Sequence, residues 1–492
     1  MRDSGILLHI TSLPGPEGIG TLGSEAYAFV DFLKAAGMSV WQMLPISPTG
    51  YGESPYQSFS TYAGNPLMID LTMLNGESRP VIDEDTSNSP PDKVDYSALI
   101  KQKNSRLREA YEKSAGSLDH ELTLFMEEQG HWLHDYALFM AVKQYFGNVG
   151  WMDWPDKSIV RRHDQALKDY SLKLADDIKF HVFVQYHFFK QWKALKLYAN
   201  KQGLRLFGDM PIYVAMDSSD CWANPDVFEL DKNLRPKAVA GVPPDYFTQD
   251  GQLWGNPLYN WKFLRKTGYT WWINRLRAMG KYYDMIRVDH FIGFANYYAV
   301  PYPSSTARYG TWRRGPGRAF FDVVKRELPG LNVIAEDLGA VNHKVKLLLK
   351  YCGYPGMKVL TFAFTGGHEN PHRLENWRHH SIGYTGTHDN DTALGWWNKA
   401  PQQEKDNALA QLGIKPHEDI VEALINAVFN SPAQTVIIPM QDILKLDGHA
   451  RMNLPGTLGG NWEWRMNPSA IDELLTQRLR NLNRQYERGN SQ

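Results

Sequence analysis

Eight short apolar runs recur along the chain, at residues 5–13, 38–46, 203–214, 285–293, 332–339, 356–364, 381–389 and 435–443. Each has strand length, and most are separated by stretches whose apolar positions repeat at helical spacing. Ser24 to Ala36 illustrates the second kind: Phe29, Phe32 and Leu33 make an apolar stripe, Ser24 is placed to cap it, and Gly37 to stop it. Strands that alternate with helices imply a parallel sheet, and eight such units imply an α/β fold closed as a (β/α)8 TIM barrel.

Two gaps are too long for simple crossovers. Residues 49 to about 181 hold charged, helix-patterned stretches near 97–147 and 164–179, so a mainly helical insertion over about 66–181 is expected between the second and third strands, with Phe183 to Ala199 as the barrel helix that follows. Residues 215–268, after the third strand, carry Trp222, Trp254 and Trp261 among Gly, Pro and Asn, which reads as a long lid-like loop. Further loops are expected at 296–317 and 445–466. All leave the carboxyl ends of strands, the face on which barrels place their sites, and the whole of 1–492 reads as one catalytic barrel.

The fourth run ends Ile286-Arg287-Val288-Asp289-His290. Alternation along a strand puts Arg287 and Asp289 on one face, with Ile286 and Val288 on the other. The third, fifth and seventh runs end in Asp209, Glu336 and Asp389, so four strands direct carboxylates toward one rim. Asp337, Asn390 and Asp391 lie one step further and read as supporting or capping groups.

Composition narrows the chemistry. With 53 basic and 54 acidic residues there is no basic excess to bind nucleic acid or an anionic membrane. Two cysteines make no disulfide framework, there is no signal-peptide pattern, and no apolar run reaches the roughly 20 residues of a membrane span, so a cytoplasmic location is expected. Aromatics make up 13% of the chain, several of them in Gly- and Pro-rich loops, where flat rings can stack on the C–H faces of sugars. His131-x-x-His134 with Asp135 lacks a third metal ligand, and Asp389-Asn390-Asp391 lacks the other positions of a calcium loop. No nucleotide motif is present, so neither cofactor nor metal is expected.

Paired carboxylates with abundant aromatics point to glycosyl transfer, in which one carboxylate attacks the anomeric carbon and a protonated second one assists the leaving oxygen. Asp289 suits the nucleophile, since Arg287 would hold it ionised. Glu336 suits the general acid and base, since its apolar strand would raise its pKa. Asp389, beside His388, suits a group that binds sugar hydroxyls and favours a distorted ring.

The order Arg287-x-Asp289-His290, Ala335-Glu336-Asp337-Leu338-Gly339, Thr387-His388-Asp389-Asn390 resembles the α-amylase clan. One branch is resembled more closely: the amylomaltases, or 4-α-glucanotransferases (disproportionating enzymes), of glycoside hydrolase family 77. The stretches that carry this open at Gly5 (GILLHITSLPG), Trp41 (WQMLP), Ser54 (SPYQSFS), Gly208 (GDMPIYV), Gly241 (GVPPDYF), Trp254 (WGNPLYNW) and Gly460 (GNWEWR), together spanning residues 5–465. The resemblance implies transfer of α-1,4-glucan segments, with Asp289 as nucleophile, Glu336 as acid and base and Asp389 as transition-state stabiliser. It implies Tyr56, Asp209, Arg287 and His388 around the glycosyl subsite, and Tyr246 and Phe247 at the tip of a loop over the acceptor side. Trp254 would be an aromatic platform there, with Asn461 and Trp462 in a loop near the groove. The implied partners are malto-oligosaccharides, amylose or glycogen-derived glucans, with glucose or maltose as acceptor. The competing readings are a glucan hydrolase of the same clan and a non-catalytic glucan-binding barrel.

Overall fold

The computed structural model describes residues 2–75, 92–114, 116–244 and 249–489. Eight parallel strands make the barrel: β1 (Asp3–Leu7), β2 (Val40–Gln42), β3 (Arg205–Met210), β4 (Met285–Val288), β5 (Val333–Ala335), β6 (Gly356–Val359), β7 (Ser381–Tyr384) and β8 (Thr435–Pro439). Their spatial order is β6-β7-β8-β1-β2-β3-β4-β5. The two ends of that order meet where the Ala335 N–H donates to the Pro355 carbonyl at 3.0 Å. Each expected apolar run overlaps one strand, β1 beginning two residues before its run. The strands are shorter than the runs, because the remaining apolar residues pass beyond the carboxyl end and pack beneath the loops.

Side chains such as Ile6, Trp41, Leu206, Phe207, Ile286, Ile334, Val359, Ile382 and Ile437 are all buried along these strands. Gly208 has a steric reason for its place in β3: a Cβ there would stand 2.3 Å from the Tyr283 ring. The first helix runs Ser24–Ala35 and stops at Gly37 (φ +76) as expected, but its cap is Gly23 rather than Ser24. The chain enters the helix one residue early, without a side-chain cap, and residue 23 must be glycine because a Cβ there would lie 1.7 Å from an Asp70 carboxylate oxygen.

Between β2 and β3 lie helices Tyr96–Lys113, Asp119–Glu128, Leu133–Tyr145 and Asp164–Lys173, then a helix of 27 residues, Ala175–Lys201. The expected boundary between a stretch ending at 179 and a barrel helix starting at 183 is not there. Nothing in 175–201 is Gly or Pro, so the helix continues from the insertion to the barrel. A buried ion pair, Lys103 with Glu17, fastens the helix Tyr96–Lys113 to the loop after β1.

The loop reading of 215–268 and 296–317 needs correction. These segments contribute Gln252–Pro257, Ala238–Val242, Asn296–Pro301 and Thr311–Arg314, in that spatial order, to a four-stranded antiparallel sheet. Short helices, Ser219–Ala223 and Trp261–Lys266, flank it. Each segment folds as its own antiparallel hairpin, and the two hairpins join where Ala238–Val242 pairs with Asn296–Pro301.

At the opposite end of the barrel, buried Arg488 donates to the carbonyls of Phe429, Ser431 and Ala433 at 2.6, 2.5 and 2.9 Å. It also reaches the Asp3 carbonyl at 3.4 Å, and the Gly489 N–H donates to the Arg2 carbonyl at 2.9 Å. This clasp ties the end of the described chain to β1 and to the segment that precedes β8. Among the described residues no helix is long and apolar enough to cross a membrane.

Candidate active site

The register of β3 on β4 sets Asp209 directly opposite Arg287. Their side chains meet at 2.5 Å, and the other terminal nitrogen of Arg287 reaches Asp289 Oδ1 at 2.8 Å. The guanidinium thus bridges two carboxylates. It is buried with Asp209, whereas Asp289, one residue beyond β4, keeps 26% of its side chain exposed toward the groove. Burial opposes the charge of Arg287, but Asp209 and Asp289 outweigh burial and raise its pKa, so it stays a cation. Burial raises the Asp209 carboxyl against the pull of Arg287.

Tyr56 Oη donates to Asp209 Oδ2 at 2.7 Å and lies 2.7 Å from His388 Nε2. With the single phenolic proton directed at Asp209, the oxygen accepts from His388, which assigns that proton to Nε2. A continuous chain therefore runs from His388 through Tyr56, Asp209 and Arg287 to Asp289. Trp462 closes one side of it, with ring centroids 5.7 Å from Tyr56 and 6.1 Å from His388. Asp209 Oδ1 is buried and has no donor among the described residues, which suits it to a sugar hydroxyl.

Glu336 follows β5 by one residue. Since Val288 pairs with Ala335, Asp289 and Glu336 are the next positions in register on adjacent strands. Glu336 accepts backbone N–H bonds from His290 (2.8 Å) and Leu338 (2.6 Å). Burial, and after it the charge of Asp289, push its pKa up to about 8, against the smaller opposing pull of Arg287 and the two N–H groups. Neighbouring carboxyls thus occupy opposed environments, one paired with a cation and one kept neutral, the pattern that separates a nucleophile from an acid.

His290 delivers its N–H from the left-handed region (φ +50), where His is less disfavoured than most residues. Its buried ring stands edge-on to Trp254 at 4.8 Å, and burial lowers its pKa to about 4, so it is neutral at pH 7. Trp254 lies on the strand Gln252–Pro257, with its backbone carbonyl held by Gln57 at 3.3 Å.

Asp389 lies five residues beyond the end of β7. Its Oδ1 accepts from Asn453 Nδ2 at 2.6 Å, its carbonyl from Arg451 at 2.7 Å, and Oδ2 is 3.4 Å from His388 Nε2. Asn461 accepts from the Leu454 N–H at 2.8 Å and donates to Thr457, so its amide shapes the loop. Asp337, Asn390 and Asp391 bond to the Met357 N–H, to Thr387 and to Lys399, respectively.

The structure therefore gathers Tyr56, Asp209, Arg287, Asp289, Glu336, His388, Asp389 and Trp462 at one rim, with Trp254 against His290 beside them. Tyr246 and Phe247 lie outside the described residues. Sequence reasoning overlooked His290, Arg451 and Asn453 as contacts of this cluster. His290 could have been found from its place directly after Asp289; Arg451 and Asn453 come from an aperiodic loop that gave no signal. Among the described residues no three His, Cys, Asp or Glu side chains gather as a metal site, and Asp135 pairs instead with Arg162 at 2.7 Å.

A family model described as 4-alpha-glucanotransferase matches residues 8–471. The chain is 42% identical over 486 residues to the 4-alpha-glucanotransferase of Clostridium butyricum, covering 98% of this chain and 100% of that protein. It is 44% identical over 498 residues to that of Thermus thermophilus, covering 99% of each. Among solved structures it superimposes on an amylomaltase from Streptococcus agalactiae in complex with acarbose, with a TM-score of 0.97, 41% identity and full coverage of both chains. An amylomaltase from Corynebacterium glutamicum shares the fold at a TM-score of 0.80 and 20% identity, over 98% of this chain and 75% of that one.

Proposed function

The chain belongs to the 4-alpha-glucanotransferase family, glycoside hydrolase family 77, and on that premise we propose that it disproportionates malto-oligosaccharides by a retaining double displacement. An Asp289 carboxylate oxygen attacks the anomeric carbon of a donor α-1,4-glucan as the bond to the leaving sugar breaks. The Glu336 carboxyl gives its proton to the departing oxygen, and the glycosyl unit remains as an ester of Asp289. A 4-hydroxyl of an acceptor then attacks the same carbon, Glu336 takes its proton back, and Asp289 leaves with retention of configuration. Asp389 stabilises the transition state through the sugar hydroxyls, while Asp209, Tyr56 and His388 fix the ring.

The observation that carries this reading is the contrast between the two adjacent carboxyls, with Arg287 on Asp289 and burial on Glu336. Trp254 and Trp462 provide stacking faces for glucan on either side. Glucose or maltose serves as acceptor in this scheme, amylose or glycogen-derived chains as donors. Cys221 and Cys352, both free and buried, suit a reducing cytoplasm.

Incubation with maltotriose alone tests the proposal. A ladder of both longer and shorter oligosaccharides is expected; products that are only shorter would establish a hydrolase, and no product with glucan bound would establish a binding barrel.

A further inference from the structure

We propose that Asn453 is a positioning residue for Asp389, so that the loop 451–462 sets the plane of the stabilising carboxylate; this rests on the assignment of Asp389 given above. The need for such a residue follows from where Asp389 sits. Arg287 grips both Asp209 and Asp289 from within the barrel. Asp389 stands in the loop after β7 with 41% of its side chain exposed, and rotation about the bond to a carboxylate is soft.

One short bond restrains it: Asn453 Nδ2 to Oδ1 at 2.6 Å. Among the described residues the other oxygen has only His388 at 3.4 Å, and that nitrogen is already engaged with Tyr56 at 2.7 Å. Asn453 therefore selects one rotation of the carboxylate and leaves Oδ2 for a sugar hydroxyl.

The backbone around this contact is built to hold it. The Asn453 N–H donates to the His388 carbonyl at 3.1 Å. Arg451 donates from Nη2 to the Asp389 carbonyl and from Nε to the Asn453 carbonyl, both at 2.7 Å. Arg451 and Asn453, two residues apart in one loop, are thus bonded to the adjacent His388 and Asp389 of the other, side chain and main chain together. The loop is closed in turn by Trp462 N–H to the Met452 carbonyl at 2.7 Å and by Asn461 on Leu454. Trp462 stands against His388, so the aromatic wall and the orientation of Asp389 come from a single segment.

Three variants of the full chain, assayed by maltotriose disproportionation, test the assignment. In Asn453→Ala the backbone bond to His388 remains while the carboxylate is released; kcat is expected to fall by about 10- to 100-fold with KM changed less than about twofold. Asn453→Asp keeps the shape but sets a second carboxylate against Asp389. Two such groups cannot both ionise freely, so the acid limb of the kcat profile is expected to move to higher pH by about one unit or more. Asn453→Ala with kcat within twofold of the parent overturns the proposal. A fall in kcat without movement of the acid limb in Asn453→Asp also overturns it, since that pattern marks loop collapse. Asp389→Asn separates the two levels: if it stays active, both the stabiliser and its positioning residue are refuted, whereas an inactive Asp389→Asn beside a parent-like Asn453→Ala refutes only the latter.

Discussion

Replacing Glu336 with Gln keeps the outline of the side chain and removes its proton equilibrium, and the effect on stability should change sign with pH. The carboxyl titrates at about 8 instead of its ordinary 4.5, so between those values the folded protein retains a proton that the unfolded chain has released. The contribution of this group to stability is therefore most favourable below about pH 4.5, falls as pH rises toward 8, and levels off beyond it. At about 1.4 kcal/mol per pH unit the full span is on the order of 5 kcal/mol. Gln escapes that loss. It has a cost of its own, because both Glu336 oxygens accept backbone N–H groups, from His290 and Leu338, and the amide turns one acceptor into a donor. A buried N–H left facing a donor costs about 1–3 kcal/mol. The variant should therefore be less stable by about 1–3 kcal/mol near pH 4.5 and more stable by about 2–4 kcal/mol near pH 8.5, crossing between about pH 5 and 7. For a chain of 492 residues, the usual unfolding entropy converts 1 kcal/mol into about 1 °C of Tm. Calorimetry of both proteins at one scan rate, from pH 4.5 to 8.5, reads this directly. Disproportionation should be lost at every pH, and in the parent kcat/KM should decline on the alkaline side as Glu336 loses its proton near 8. A Tm difference that stays constant across the series refutes the argument, whatever happens to activity.

Arg287→Met leaves Asp209 and Asp289 without their cation; the loss is about 3–5 kcal/mol near neutral pH, shrinking as acid protonates Asp209, and melting curves at pH 7 and pH 4 should show the difference. Trp254→Ala removes a stacking face and the edge contact with His290, so KM for glucose as acceptor should rise by up to about tenfold; a rise in free glucose released per transfer, read by chromatography, accompanies it, and an unchanged ratio counts against the acceptor role. Gly208→Ala forces a methyl toward the Tyr283 ring and should cost about 1–3 kcal/mol, visible as a lower Tm with the catalytic groups untouched.

The barrel was legible because a strand buried on both faces must be apolar throughout, and runs such as Thr435 to Pro439 show this without reference to partners. The carboxylates were legible because they interrupt those runs at one end. The small antiparallel sheet was not, because the strands of its two local hairpins, Ala238–Val242 with Gln252–Pro257 and Asn296–Pro301 with Thr311–Arg314, lack a clean alternation of apolar and polar residues, and the hairpins join only across an intervening barrel unit. Ser24 looked like a cap because its residue type favours one, whereas the helix begins at Ser24 itself with Gly23, packed against Asp70, as its cap. Asn453 was invisible for a similar reason: its role depends on a loop-to-loop contact with Asp389, and neither segment has a repeat that fixes its orientation.

The Arg488 clasp carries a consequence for biosynthesis. β1 pairs with β8, and the bond from Arg488 to the Asp3 carbonyl spans 485 positions of sequence. A ribosome adding roughly 5–20 residues per second leaves one edge of β1 without its partner for on the order of a minute. Throughout that interval the nascent chain is an open sheet with a bare apolar edge, the form most prone to pair with a neighbour. Only when Arg488 emerges and finds its carbonyls can the ring be locked, so the arrival of this clasp rather than the first collapse sets when the barrel becomes safe from aggregation.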